Sequence, residues 1–397
     1  MNSINVGVVG VGNMGSAHVA NIYKGLVPGM TLKCICDIDP GKIKKAAEFF
    51  DDSVVCFSDY DEMLESGLLD AVIIATPHFC HPKMTMDALK HGIHVLCEKP
   101  VGVDAEVVKE VNSIAAKSDK TFAIMFNQRT NPLYKRLKTI VQNGELGVIK
   151  RFVWIINNWY RTQYYYDSGD WRGTWNKEGG GVLINQCPHN LDIWQWILGM
   201  PKRIRANCEE GKYHDITVED EVTIFAEYEN GSMATFITST GEYPGTNRLE
   251  ISGSLGKAVV EDGKLTLSLL KTDERTICRE STESMPTEPY DTVVYDDEET
   301  EDGHLGILKN FANHILFGEE LIAPGIEGIN ELMISNAAYL SSWEDRTVTL
   351  PLEPGRFTKG LLKKQEEERL ILKEKSVTYE EPDLENTEYA ERWKVRW

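Results

Sequence analysis

Ile4-Asn-Val-Gly-Val-Val-Gly10-Val-Gly12-Asn-Met-Gly15 is the stretch on which the fold turns. A run rich in β-branched residues ends in glycines spaced Gly10-x-Gly12-x-x-Gly15. That spacing lets a strand turn sharply, brings its backbone against a pyrophosphate and packs the next helix close. The phosphates then meet the helix N-terminus at Asn13 and Met14, where unpaired N–H groups and the positive end of the dipole stabilise negative charge. A glycine triplet alone is unspecific, but its surroundings sharpen it. Met30 to Asp37 reads as a second strand, and Asp37 closes it 22 residues beyond Gly15. A carboxylate there accepts both ribose hydroxyls and repels a 2′-phosphate, so the expected dinucleotide is NAD rather than NADP.

Outward from this motif, 397 residues exceed one ordinary core and predict two domains. Strands and helices alternate over residues 1–126, the pattern of a doubly wound parallel sheet, with helices at Met14–Lys24, Gly41–Phe50, Tyr60–Ser66, Pro82–His91 and Ala105–Ser118. The wholly apolar run beginning at Asp70 and stopping at Thr76-Pro77 reads as a central strand whose carboxyl end faces the ligand. Residues 127–350 change character. Longer strands with Asn230-Gly231 and Asp262-Gly263 turns predict an α+β domain with a mostly antiparallel open sheet, covered by helices at Leu183–Leu198, Leu305–Phe317 and Ile326–Glu344. The overall class is therefore α/β followed by α+β. Residues 271–303 read as an irregular acidic connection or an arm toward a partner. Residues 351–397 read as a charged extension in which Phe357–Lys375, with Leu361, Leu362, Leu370 and Ile371, suits an exposed helix, either a solvated tail or an oligomer clasp.

A net charge of −20 argues against nucleic acid or an anionic membrane as partner and favours a neutral substrate. The eight cysteines lie mostly in apolar runs without metal-ligand spacing, as reduced core cysteines do; no metal is expected. With no leader and no membrane-length run, a cytoplasmic location is expected.

Two stretches carry candidate chemistry. His94-Val-Leu-Cys runs into Glu98-Lys99-Pro100, placing a lysine at the carboxyl edge of the sheet, where it can bond a reacting hydroxyl. Gly179-Gly-Gly-Val-Leu-Ile-Asn185-Gln-Cys-Pro-His189-Asn-Leu-Asp192 sets Asn185 and His189 four apart, on one face if helical, and histidine has the pKa to take an alcohol proton. Pro188 cannot donate to the carbonyl of Ile184, so the helix starts or kinks there.

Together, Gly10-x-Gly12-x-x-Gly15, Ala75-Thr76-Pro77 with His81, Glu98-Lys99-Pro100 and the glycine-rich segment ending in His189 resemble the glucose–fructose oxidoreductase/inositol dehydrogenase family, Gfo/Idh/MocA, over roughly residues 4 to 350. The resemblance implies a Rossmann domain, a C-terminal domain whose open sheet often forms subunit contacts, and NAD-dependent oxidation of sugars or cyclitols. It matches Lys99 and His189 to the catalytic lysine and histidine. It sets cofactor contacts on Gly10, Gly12, Asn13, Met14, Gly15, Asp37, Thr76, His81, Glu98, Lys99, Asn127, Trp171 and Arg172. The family usually has Asp four before the histidine; here Asn185 stands there, and an amide orients a hydroxyl without holding its proton.

Residues 154–175 hold eight aromatics in 22 positions, against 9% for the chain. Flat apolar faces suit a pyranose, though core and subunit packing also use them. The expected substrate site is Lys99, Tyr160, Trp171, Asn185 and His189. The expected function is hydride transfer from a ring secondary hydroxyl of a neutral sugar, glycoside or cyclitol, with C3 of a glucoside as first candidate, by a homo-oligomer (dimer or tetramer). A lyase or glycosidase with transient ring oxidation, and a nucleotide- and sugar-binding regulator without turnover, are the alternatives.

Overall fold

The structure, a computed structural model, describes residues 3–50, 53–296 and 303–375. Six parallel strands, β1 (Ile4–Val9), β2 (Met30–Cys36), β3 (Val55–Phe57), β4 (Ala71–Ile74), β5 (His94–Cys97) and β6 (Phe122–Ile124), form the first sheet in the order β3-β2-β1-β4-β5-β6. The order reverses between β1 and β4, and the crevice beyond the carboxyl ends of those strands is where such sheets bind dinucleotides. Every residue of β4 is buried, as its apolar run requires of a central strand.

The second sheet takes β7 (Ile149–Ile156), β8 (Arg203–Glu210), β9 (Glu219–Glu227), β10 (Met233–Ser239), β11 (Asn247–Gly253), β12 (Gly256–Glu261), β13 (Lys264–Leu270), β14 (Tyr290–Asp296) and β15 (Val348–Thr349). Their order is β14-β13-β12-β11-β7-β10-β9-β8-β15, antiparallel except for the β7–β10 pair. Asp262 and Gly263, with φ of 49° and 72°, form the tight turn between β12 and β13.

Three expectations change. The acidic connection contains the helix Glu274–Glu280 and an edge strand, β14, paired along its length with β13. Tyr290, Val293 and Val294 favour strand but remain exposed, so burial periodicity did not mark them. The helix expected from Leu183 begins at Pro188. Before it the chain winds in turns, with Asn185 N–H donating to Gly181 C=O at 3.0 Å and Gln186 N–H to Val182 C=O at 3.1 Å. Pro188 occupies the first helical position, where a missing N–H costs nothing. Asn185 and His189 therefore do not share a helical face.

The C-terminal helix Arg356–Lys375 is not a solvated tail. Phe357 and Leu361 are buried, Phe357 stacking on Trp343 with centroids 5.7 Å apart. Glu368, 1% exposed, accepts the N–H groups of Trp175 and Asn176 at 2.8 Å each, so the helix clasps its own chain. Residues 376–397 of the expected extension lie outside the described residues.

Two buried connections join the sheets. Asn336, in the helix Gly328–Trp343, accepts from Ala105 N–H at 2.9 Å and donates to Val103 C=O at 3.0 Å. Arg129 forks onto Asp192 through Nε at 2.8 Å and Nη2 at 2.7 Å. Asp192, singled out beside His189, is thus committed to an ion pair.

Candidate active site

The glycine turn separates what the fold demands from what a ligand demands. A Cβ on Gly10, whose φ is +83°, would lie 2.5 Å from Ala75 C=O, and one on Gly15 would lie 1.7 Å from Gly10 C=O. Both are required for strand and helix to meet. A Cβ on Gly12 would meet nothing within 4 Å. Packing does not demand that glycine; a pyrophosphate passing over the turn does. The helix Asn13–Tyr23 has no side-chain cap, leaving its first N–H groups for that ligand. Asp37 is pinned to the same turn, Oδ2 accepting from Val11 N–H at 2.8 Å and Oδ1 from Asp39 N–H at 2.9 Å. These groups fit NAD.

Beyond β4 and β5 the expected contacts divide. Thr76 is half-buried, its hydroxyl donating to the Met84 sulfur at 3.3 Å. His81 has each ring nitrogen 2.6 Å from a backbone carbonyl, Nδ1 from Pro100 and Nε2 from Thr76. Burial pushes its pKa down against the pull of those carbonyls. A neutral ring donates to only one of these carbonyls, but both nitrogens face backbone, so His81 ties together two loops and has neither nitrogen open to a cofactor. Glu98 is buried against His18, Nε2 to Oε1 at 2.7 Å. Burial raises its carboxyl, but the His18 hydrogen bond and nearby positive groups prevail and hold it at about 2. Asn127 sets Nδ2 3.2 Å from the His304 ring nitrogens, while its buried Oδ1 has no partner among the described residues. A ligand N–H can satisfy that acceptor.

The two strands of candidate chemistry do meet. Lys99 Nζ donates to the backbone carbonyl of Asn185 at 2.7 Å. Burial lowers its pKa, opposed by Glu98, Glu331 and Glu178. His189 is the second residue of the helix Pro188–Leu198, and its Nδ1 is buried without a partner among the described residues. Burial, then the Lys99 charge and His304, hold its pKa well below 6.5. The positive end of the helix acts in the same direction. The imidazole is therefore neutral at physiological pH and able to accept a proton.

A sequence profile described as "Oxidoreductase family, NAD-binding Rossmann fold" matches residues 4–126, and one described as "GFO/IDH/MocA C-terminal domain" matches 134–259. The chain belongs to the Gfo/Idh/MocA family. It is an oxidoreductase with an NAD-binding Rossmann domain. "Uncharacterized oxidoreductase YrbE" of Bacillus subtilis is 26% identical over 342 residues, 84% of this chain and 93% of its own. The myo-inositol 2-dehydrogenase of Thermotoga maritima is 24% identical over 353 residues, 87% of this chain and 98% of its own. The WlbA dehydrogenase of Bordetella pertussis, solved with NADH and UDP-GlcNAcA, shares the fold with a TM-score of 0.74 at 24% identity, covering 89% of this chain and all of its own.

In this oxidoreductase the aromatic segment proves mixed. Trp154 lies in the core between Phe152 and Phe236, and Trp175 packs on Tyr339 and Trp343. Tyr160, 44% exposed, packs its ring on Tyr243 at 5.5 Å, and among the described residues no hydrogen bond or ring contact joins it to Lys99, Asn185 or His189. Tyr165 is the tyrosine at the site, its hydroxyl 3.4 Å from Asn185 Nδ2 and 3.2 Å from Gln186 Nε2. Arg172 stacks on Tyr165 and Trp171, 4.2 and 4.4 Å from their centroids. Trp171 meets His78 edge-on at 6.0 Å.

Three buried groups escaped the sequence reading. His78 Nδ1 bonds Glu178 C=O at 2.9 Å across the two domains, and burial pushes its pKa down to about 3. His18 orients Glu98. Glu178 takes the side-chain amide of Asn185. The signal available for Glu178 was its place directly before three glycines.

Proposed function

We propose that the enzyme oxidises a ring secondary hydroxyl of a neutral sugar, glycoside or cyclitol. The observation that carries this reading is a neutral imidazole, His189, beside the half-buried Lys99 at the carboxyl edge of the dinucleotide sheet. NAD, when bound, supplies the nicotinamide that takes up the hydride. Lys99 Nζ donates a hydrogen bond to the alcohol oxygen and stabilises the negative charge that develops there. His189 accepts the hydroxyl proton as the carbonyl forms. Asn185 orients a neighbouring hydroxyl, and Trp171 with Arg172 borders the nicotinamide end.

A neutral ring agrees with the net charge of −20 and with the inositol specificity named for the Thermotoga relative. Residues 1–126 serve the cofactor and 127–350 the substrate, with the helix Arg356–Lys375 completing the latter. The reading also has a cytoplasmic homo-oligomer, a dimer or tetramer. It is supported by eight free cysteines and by Phe225 and Met233, 50% and 52% exposed on β9 and β10. No described helix is long and apolar enough to cross a membrane.

Purified protein with NAD and a panel of cyclitols, sugars and glycosides is expected to accumulate NADH absorbance with an equimolar ketone product. Consumption of a glycoside with elimination or hydrolysis but no NADH overturns the reading in favour of transient oxidation. A monomeric mass by light scattering overturns the assembly.

A further inference from the structure

The reading above gives Glu178 no part, yet it is a carboxyl only 2% exposed at the back of the site. Its place is set by the glycines that follow. A Cβ on Gly179 would lie 2.5 Å from Val103 Cγ1, one on Gly180 2.3 Å from Tyr339 Oη, and one on Gly181 2.0 Å from Glu219 C=O. Only an unsubstituted chain presses this deeply into the wall, and Glu178 enters with it. Its Oε2 accepts Gly173 N–H at 2.6 Å, and its Oε1 accepts the Asn185 Nδ2.

An amide that gives its N–H to a carboxylate turns its oxygen the other way. Asn185 is half-buried, and no hydrogen bond from a described residue reaches its Oδ1. The backbone carbonyl of the same residue holds Lys99 Nζ at 2.7 Å. One residue therefore links a buried carboxyl on one side to the reacting lysine on the other. We infer that Glu178 is a positioning residue of this site: it locks the Asn185 amide with Oδ1 presented as acceptor for a substrate hydroxyl, and sets a carboxylate behind Lys99. The inference rests on reading Lys99 and His189 as the reacting groups. Burial pushes the Glu178 carboxyl up to about 7 against the Asn185 hydrogen bond and Arg172, so acid and carboxylate are both populated near neutrality and the lock strengthens as the proton leaves. The charged and titratable groups that face Glu178 are Arg172, Lys99, His78 and Tyr166.

The test is a reversal of the pair in the full chain. Glu178→Gln removes the charge and frees the amide to flip. Its kcat/KM is expected to fall about 10- to 100-fold, the worth of one hydrogen bond to a charged group, with NAD affinity unchanged. Asn185→Asp sets two carboxyls on one hydrogen bond, so one must hold a proton, and activity is expected to fall and to depend more steeply on pH. The double variant Glu178→Gln/Asn185→Asp again has one amide and one carboxylate sharing a hydrogen bond, with a free carboxylate oxygen where Oδ1 stood. It is expected to recover to within about threefold of wild type, a coupling that independent sites do not show. Additive losses in the double variant, or wild-type kcat/KM in Glu178→Gln, overturn the inference.

A second readout needs no substrate. The side-chain amide resonances of Asn185, assigned by their loss in Asn185→Asp, are expected downfield in wild type and shifted in Glu178→Gln. If no panel compound is oxidised, the proposed function fails, and these resonances alone decide the role of Glu178; unchanged resonances refute it.

Discussion

Cofactor choice offers the test whose size follows most directly from the structure. Asp37 is 8% exposed and held by the N–H groups of Val11 and Asp39, so it cannot swing away from a ligand at the turn. A 2′-phosphate replacing the ribose hydroxyl would meet this carboxylate at roughly 4 Å, where like unit charges near a protein surface cost about 4 kcal/mol, or roughly a thousandfold in affinity. Lys42 Nζ, 3.8 Å from Asp37 Oδ2 and about half exposed, offsets part of that cost. The expected preference for NADH over NADPH is therefore on the order of 10²- to 10³-fold, read as the ratio of Kd values from calorimetric titration. Asp37→Ser should narrow the ratio chiefly by weakening NADH, because Val11 N–H loses its acceptor along with the ribose hydroxyls. Adding Ile38→Arg, at a side chain 90% exposed, supplies a cation without disturbing the core and should bring the ratio close to one. Equal binding of the two cofactors by wild type, or a ratio untouched by Asp37→Ser, would refute the role of Asp37.

His189→Ala should lower kcat by about 10²–10⁴ with NAD affinity retained, as measured by stopped-flow and titration; near-normal turnover would leave Lys99 as the base. Because burial holds His189 well below 6.5, its protonation should appear in the kcat/KM profile only below that pH; an acid limb centred above 6.5 that vanishes in His189→Ala would keep His189 as the base but refute its lowered pKa. Arg129→Met leaves Asp192 buried without its fork and should cost about 3–5 kcal/mol in urea unfolding, far more than loss of a surface pair. His78, pushed down to about 3, stays neutral when folded while the unfolded chain takes a proton below about 6.5. Its contribution is thus complete above 6.5 and is lost as pH falls toward 3, at about 1.4 kcal/mol per unit. His78→Gln should flatten the decline in urea midpoint between pH 6.5 and 4.5, and an unchanged decline would show that His78 is not its source.

What was legible in the chain and what was not divide by the distance over which each residue finds its partner. Gly10, Gly15 and Asp37 were readable because what constrains them is local: a positive φ, a Cβ against the neighbouring turn, a strand end at fixed spacing. Pro188 announced its own helix start. Such rules place Lys99 and His189 at the edge of the crevice but do not say what surrounds them. His81 shows the gap: the motif names it, yet its nitrogens face the carbonyls of Thr76 and of Pro100, a contact 19 residues away. The strand β14 and the burial of the helix Arg356–Lys375 were missed for opposite reasons. One exposes residues that favour strands and so lacks a burial period. The other buries a charged residue, Glu368, that any hydropathy pattern assigns to water. Glu178 combines both difficulties, being a carboxylate by type, buried by its glycine neighbours, and given meaning by Gly173 and Asn185 on either side. A motif therefore identifies which residues reach the crevice. Whether each acts on substrate, as proposed for Lys99, or on another residue, as inferred for Glu178, is decided by contacts between segments that no single motif contains.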